Sequence, residues 1–303
     1  MTKQQKLWTL LTILSTFLWG VSGLFAKFIF ELEPKLTPLL LSQIRMLGGG
    51  LVLLALASYK KEAPLALWQN KQSAKTAIAY GLGGIIPVQF CYFMAIKLGD
   101  ASIATILQFV GPFFIILYLV VFQKQRPRRI EVISALVAFL GVALLATHGD
   151  LTQLAITPAV LIWGLLSAVG GAANTLIPRS LLQHYSSTAV TGWGLLIAGI
   201  GLTVIHPSFE SFSVTFELVL LVLAVVVLGT IIPFQLFTNA LKYIRPTTAS
   251  MLDAFEPIAA TIGSIIFFGL QLSVADLLGS FLVIIAVLAL NWRPRKKKFT
   301  NNV

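Results

Sequence analysis

The chain has 303 residues, of which 57% are hydrophobic and only 11% are charged, and its mean hydropathy is +0.90. A soluble core cannot bury so much apolar surface, so we expect a chain that crosses a lipid bilayer several times. The net charge of +11 does not indicate a nucleic-acid partner, because the basic residues lie between apolar stretches and form no stripe on a polar module. The single cysteine, Cys91, excludes a disulfide framework.

Ten apolar stretches approach the length of about 20 residues that a helix needs to cross a bilayer. In chain order, the predicted spans are 7–30, 36–58, 76–97, 101–123, 130–147, 157–178, 187–206, 217–241, 247–268 and 274–292. The loops between them are too short for a soluble domain. We therefore predict an all-α integral membrane protein of ten transmembrane helices.

The basic residues indicate the orientation of these spans. If the N-terminus is cytoplasmic, the cytoplasmic segments hold about six times as many lysines and arginines as the outer segments. An even number of spans then returns the C-terminus to the same side. We expect a multi-pass protein of the cytoplasmic membrane with both termini in the cytoplasm.

Landmarks of the first half of the chain return about 145 residues later. The paired segments are Trp19-Gly20 and Trp163-Gly164, Pro87-Val88-Gln89 and Pro233-Phe234-Gln235, and Ala95 to Pro112 and Ala240 to Pro257. Each copy holds five predicted spans, and an odd number of spans inverts the second copy in the membrane. We expect two inverted repeats around a central cavity, residues 1–147 and residues 148–303, the second with a basic cytoplasmic tail. Such repeats are typical of secondary transporters, whose substrate site lies near the midplane where the halves meet.

Three charged residues lie deep inside predicted spans, where each costs roughly 2.5–3.5 kcal/mol on insertion scales. Arg45 and Glu256 both lie roughly 13–15 Å deep, one in each half, and could form an ion pair or share a site. The alternative is a buried ion pair that only fixes helix packing. Asp253 lies one turn from the cytoplasmic end of its span and could instead cap the helix.

Asp253 and Glu256 are three residues apart and share a helix face. Two carboxylates at low dielectric repel one another, so that one of them can hold a proton. Protons are therefore a candidate coupling ion. A salt bridge to Arg45 would have the opposite effect and keep Glu256 ionised.

Uncharged polar and aromatic residues inside the spans complete the candidate pathway. We include Gln108, Gln89, Gln235, Asn174, Trp19 and Trp163. Interhelical hydrogen bonding and core packing are the alternatives for these side chains. Proline bends helices and often flanks binding sites in transporters, and the candidate helix-bend residues are Pro112, Pro257, Pro87 and Pro233.

These landmarks resemble the drug/metabolite transporter superfamily, in its EamA-type branch. The resemblance rests on Trp19-Gly20, on Arg45, and on the two stretches that end at Pro112 and at Phe255-Glu256-Pro257-Ile258. It implies a basket of helices in which spans one to four and six to nine line a cavity, with the fifth and tenth at the periphery. It also implies export or exchange of small organic solutes such as amino acids.

Two departures from this family concern proton coupling. Relatives often carry a glutamate between the ninth and tenth spans, where this chain has Phe268-Gly269-Leu270-Gln271. Small four-span relatives use a glutamate in the first span for proton coupling, whereas the first span of this chain has no acidic residue. If this chain couples transport to protons, Asp253 or Glu256 would have to take the place of these glutamates.

The leading hypothesis is a secondary transporter whose partners are a small-molecule substrate and the lipid bilayer. We expect no enzymatic activity, cofactor, metal or nucleic acid, because the chain has neither a nucleotide-binding motif nor histidines at metal-ligand spacing. The alternatives are a membrane-embedded enzyme and a non-transporting receptor or subunit.

Overall fold

The computed structural model describes residues 3–122, 124, 126–147, 156–207, 212–240, 243–244 and 252–291. All regular secondary structure in this part of the chain is helical. We label the main helices α1 (Lys3–Leu32), α2 (Pro38–Tyr59), α3 (Lys71–Leu98), α4 (Ala101–Val121), α5 (Arg129–Thr147), α6 (Pro158–Leu182), α7 (Ser187–Ile205), α8 (Phe216–Ala240), α9 (Phe255–Phe268) and α10 (Val274–Asn291).

The helices α1 to α8 have the length and composition of membrane-crossing helices, and α9 and α10 are shorter apolar helices. Every predicted span therefore overlaps a helix in the described residues, and the all-α membrane fold is confirmed, whereas ten membrane crossings stay a prediction. The third helix begins at Lys71, five residues before the predicted span, because Asn70 caps it by accepting hydrogen bonds from Gln72 N and Ser73 N. Residues 247–251 of the ninth predicted span and the basic C-terminal tail lie outside the described residues.

Several membrane helices begin at a side-chain cap that the sequence encodes locally. Thr37 and Thr157 each accept a hydrogen bond at the start of a helix whose first residue is proline, Pro38 in α2 and Pro158 in α6. Proline suits this position because its missing N–H would have no helical partner there. Asp100, Ser186 and Thr215 cap α4, α7 and α8 in the same way.

Four of the central helices depart from regular α-helical hydrogen bonding close to the four candidate prolines. Two π-helical segments interrupt α3, and Pro87 opens the second of them. A π-helical segment, Val227–Ile231, also precedes Pro233 in α8. In α4 a turn at 109–110 precedes Pro112, and a turn at 253–254 precedes α9 and Pro257. These departures redirect the side chains that follow them.

Glycines allow close contact between helices of the two halves. Gly50 of α2 lies against Leu196 of α7, and Gly192 of α7 lies against Leu54 of α2. Gly141 of α5 and Gly279 of α10 lie against each other's carbonyl oxygens. Small residues of this kind let membrane helices pack backbone to backbone.

The two glycines of the Trp-Gly landmarks have comparable neighbours. Gly20 in α1 lies against the Glu256 carbonyl and Ala259 of α9, whereas Gly164 in α6 lies against Leu107 of α4. In both halves this glycine brings the first helix of the half onto the interrupted fourth helix of the other half.

Of these glycine contacts, the one between α6 and α3 leaves the least space beside the backbone of the neighbouring helix. A Cβ at Gly170 would meet the backbone of Pro87 and Val88, whereas a Cβ at Gly83 would meet nothing nearer than the end of Ile177 at 3.8 Å. We expect Gly170→Ala to lower the free energy of unfolding by about 1–3 kcal/mol, because backbone atoms cannot move aside easily. Thermal melting of the purified protein in detergent measures this.

The matched control for this prediction is Gly83→Ala, which adds the same methyl group to α3 where space exists. Its melting temperature should equal or exceed that of the wild type. Equal melting temperatures for the two variants would contradict the close α3–α6 contact.

Candidate functional site

A cavity of about 320 Å³ lies at the centre of the helix bundle. Its lining comes from α1, α2, α3, α4, α6, α8 and the start of α9. Among the described residues, no lining residue belongs to α5 or α10, which pack against each other. The family resemblance implies a lining contribution from the seventh span, which is wrong for the described residues, because α7 packs along α2 through Gly192 and Gly199.

Arg45 lies in the wall of this cavity and is only 4% exposed. Its Nε donates to Thr230 Oγ1 at 2.9 Å, and its Nη2 donates to the Gly229 carbonyl at 2.8 Å. Both partners belong to the π-helical segment of α8. The guanidinium also lies 4.8 Å from the ring centroid of Phe93, at cation–π distance. The side chain therefore joins α2 to α8, and these two bonds leave further N–H groups for a ligand.

Glu256 and Asp253 line the cavity near the start of α9. Among the described residues, neither forms an ion pair within 4.0 Å with Arg45 or any other basic group. Asp253 Oδ1 is buried and has no hydrogen-bond partner in the part of the chain that the structure describes. The cavity thus contains one guanidinium and two carboxyl groups with no direct ion pair between them in the described residues.

Neutral polar side chains on α3, α4 and α6 also line the cavity. Gln108 is held in place because its Nε2 donates to the Val88 carbonyl at 3.0 Å. Gln89 has no partner for either of its amide atoms within the described residues, and the same holds for Asn174 Oδ1 and Ser22 Oγ. These buried atoms hold no hydrogen bond within the described residues that a ligand would have to break.

One wall of the cavity is aromatic. The ring of Trp19 contacts Phe234 and Phe237 of α8, with centroid distances of 5.3 and 5.2 Å. Pro112 and Pro257 complete the lining beside the interruptions of α4 and α9. This surface suits the apolar part of a small solute.

Four of the predicted site residues do not line the cavity: Gln235, Trp163, Pro87 and Pro233. Gln235 bonds instead to Thr188 and receives a bond from Asn239 Nδ2. Trp163 packs against Phe90, with a centroid distance of 5.7 Å. The two prolines lie at the π-helical segments of α3 and α8, next to residues that do line the cavity.

The family of the chain follows from comparison with known proteins. The sequence profile of the EamA-like transporter family matches residues 6–147 and 158–292. The chain belongs to the EamA-like transporter family. It is therefore a multi-pass membrane transporter.

Individual relatives cover almost the whole chain. The uncharacterized inner membrane transporter YicL of Salmonella typhimurium is 28% identical over 94% of this chain and 95% of its own length. The threonine/homoserine exporter RhtA of Escherichia coli K12 is 26% identical over 97% of this chain and 95% of its own length. A crystal structure that is 19% identical superposes with a TM-score of 0.64 and covers 94% of this chain and 96% of that one. At this identity the crystal structure supports the fold alone.

Sequence reasoning missed several polar lining residues of the transporter. Tyr92 hydroxyl lies 2.8 Å from Thr105 Oγ1, and both residues line the cavity. Tyr92 lies three residues after Gln89, and Thr105 lies three residues before Gln108. Helical spacing from the two glutamines could have found them.

The two ends of the cavity differ. We call the end of the bundle that holds the connection between α1 and α2 the α1–α2 end. A buried, mostly apolar cluster packs together there: Leu24, Ala26, Ile29, Phe30, Leu36, Leu41, Tyr92, Phe93, Ala95, Ile96, Ala101, Ala104, Leu218 and Val225. Lys27 Nζ and Lys97 Nζ also bond to the Gly99 and Pro34 carbonyls there. At the opposite end, where α6 meets α7, the lining residues Thr175 and Arg179 are exposed.

The bond between Arg45 and Thr230 is open to a direct test. We expect Thr230→Val to lower the free energy of unfolding by about 1.5–3 kcal/mol, because it leaves a buried guanidinium N–H without its acceptor at unchanged side-chain volume. Thermal melting in detergent measures the loss.

Thr203→Val is the control for this substitution. Thr203 is exposed on α7, and its hydroxyl bonds only to the Gly199 carbonyl of its own helix. It should change the stability by less than about 0.5 kcal/mol. Similar melting temperatures for the two variants would show that Arg45 does not depend on Thr230.

Proposed function

We propose that the chain is a secondary transporter that exports a small zwitterionic, amino-acid-like metabolite across the cytoplasmic membrane by alternating access. The observation that carries this proposal is that a guanidinium and two carboxyl groups line one cavity. Arg45 can bind a carboxylate, and Glu256 with Asp253 can bind an ammonium group. A zwitterion satisfies both, and the wall of Trp19 and Phe234 receives its apolar part.

The relatives support the same class of solute. RhtA, which is similar to this chain from end to end, is named an exporter of threonine and homoserine. Both are small zwitterions. We propose that the solute of this chain is likewise a small zwitterion and that it is likewise exported.

The contacts between helices support two inverted repeats, residues 1–147 and residues 148–303. In such a fold, equivalent helices of the two halves contact each other across a pseudo-symmetry axis, and the contacts of α2 with α7 and of α5 with α10 fit this arrangement. The first helix of each half contacts the third or fourth helix of the other. Two interchangeable halves can rock around a shared site, which is the basis of alternating access.

We infer that the α6–α7 end of the cavity faces the cytoplasm and that the α1–α2 end faces outward, with both termini cytoplasmic. The distribution of lysine and arginine supports this orientation. The described conformation would then receive solute from the cytoplasm while the apolar cluster closes the outer end.

The inferred role is not enzymatic, because the family is one of transporters and a binding cavity meets the needs of transport. A non-transporting receptor or subunit remains the second candidate, and a transport assay distinguishes it.

We further propose that protons couple to transport through Glu256 and Asp253. Binding of the solute's ammonium group or of a proton relieves the repulsion between these two carboxylates, so the two compete for one site. Arg45 lines the same cavity from α2 without a direct ion pair to Glu256. Competition of this kind makes an antiporter, in which an entering proton releases the solute.

Glu256→Gln tests this proposal in inside-out membrane vesicles with an amino-acid panel. We expect the wild type to accumulate solute in proportion to an imposed proton gradient. The variant should lose at least about 90% of gradient-driven uptake, because the neutral amide cannot exchange a proton.

The control is Glu217→Gln, which makes the same change on the exposed first turn of α8. It should transport like the wild type at equal expression. Transport that does not depend on the proton gradient and persists in Glu256→Gln would contradict proton coupling. Absence of transport by the wild type across the panel would favour the receptor or subunit.

A further inference from the structure

We propose that Gln89 determines specificity in the cavity, and that the solute carries a neutral hydrogen-bonding group, a hydroxyl or a carboxamide, in addition to its two charges. This inference rests on the proposed function, because it assigns a further substrate feature to the same cavity. It comes from the amide of Gln89, which is 5% exposed and has no hydrogen-bond partner within the described residues for either Nε2 or Oε1.

The repeat-related glutamine provides an internal comparison. Gln235 occupies the corresponding position in α8, and its amide is bonded to Thr188 and Asn239. Asn239 lies four residues after Gln235 on the same helix face. The residue four after Gln89 is Phe93, which is apolar and fully buried. The same amide is therefore satisfied within the protein in one half and left for a ligand in the other.

The other nearby glutamine is also satisfied by the protein. Gln108 lines the same cavity, but its Nε2 donates to the Val88 carbonyl. Native proteins rarely leave a buried side-chain amide with neither donor nor acceptor used. Gln89 is thus an exception that a bound solute explains.

The neighbourhood of Gln89 places a second free acceptor in the lining. The helices α3 and α6 pack directly here, since Gly84 lies against the backbone of Asn174 and Gly170 lies against Val88. Asn174 Oδ1 is buried without a partner in the described part of the chain and also lines the cavity. Gln89 offers a donor and an acceptor, and Asn174 offers an acceptor.

This set of groups selects a chemical class. A hydroxyl or a carboxamide both donates and accepts hydrogen bonds and can satisfy the Gln89 amide, whereas a methyl group would leave it unpaired in a closed cavity. A site built to bond a polar group rejects an analogue that lacks this group more strongly than an apolar pocket rejects an added hydroxyl.

The test uses pairs of zwitterions of nearly equal shape. Proteoliposomes with the purified full chain are assayed for counterflow of L-threonine against L-valine, and of L-asparagine against L-leucine. We expect the wild type to prefer the polar member of at least one pair by about tenfold or more in kcat/KM. Gln89→Leu should reduce this preference to less than about threefold while it still transports the apolar member. Gln72→Leu, the same change at an exposed position of α3, should keep it.

The outcomes separate this inference from the proposed function. If the wild type moves none of the four solutes, the proposed function fails and this inference falls with it. If it moves them without preferring the polar members, or if Gln89→Leu keeps the preference, the inference alone is overturned.

Thermal melting without solute provides a second readout that needs no transport. Gln89→Leu should melt at the same temperature as the wild type or higher, because it removes an unsatisfied buried amide. Gln235→Leu should melt lower, because it breaks bonds to Thr188 and Asn239. An equal loss in both variants would show that the protein already satisfies Gln89, and would overturn the inference.

Discussion

A buried guanidinium organises the centre of this transporter. Arg45 is out of contact with water, and its charge requires compensation at low dielectric. The compensation comes from α8, where a π-helical segment presents the Gly229 carbonyl and the Thr230 hydroxyl. Gly229 also lies against Ser22 of α1. One charge therefore fixes α2, α8 and α1 relative to one another and sets the wall of the cavity, with further N–H groups left for a solute.

Interruptions of regular α-helix lie next to the residues that line the cavity on α3, α4, α8 and α9. The interruptions of α4 and α9 lie beside Gln108 and Asp253, and the π-helical segments of α3 and α8 lie beside Gln89 and Phe234. Such irregular backbone is tolerated at membrane depth only where protein or a cavity surrounds it. The glycine contacts supply that surrounding protein, because they bring α6 onto α3 and α1 onto α9 without intervening side chains. Close packing and an internal polar cavity thus depend on the same small residues.

The sequence predicted the helices well, because apolar length and charged loops determine membrane spans independently of tertiary contacts. It also singled out Arg45, Asp253 and Glu256, which line the cavity, since buried charge is rare enough to stand out. It did not separate Gln89 from Gln235, which end the paired segments Pro87-Val88-Gln89 and Pro233-Phe234-Gln235. That difference depends on whether the residue four positions later is Phe93 or Asn239, and on how far a π turn rotates the side chain. Tyr92 was missed for a related reason, because an aromatic residue inside an apolar helix resembles ordinary packing.

The central claim is that one solute cavity lies between the two halves and opens to one side of the membrane at a time. Side-specific labelling of a single cysteine tests it most directly, with Cys91→Ala as the background and Thr175→Cys as the reporter on the cavity wall. A membrane-impermeant maleimide is added to inside-out and to right-side-out vesicles without solute. The account predicts rapid labelling from the cytoplasmic face and at least about tenfold slower labelling from the outer face. Equal rates from both faces, or faster labelling from outside, would contradict it.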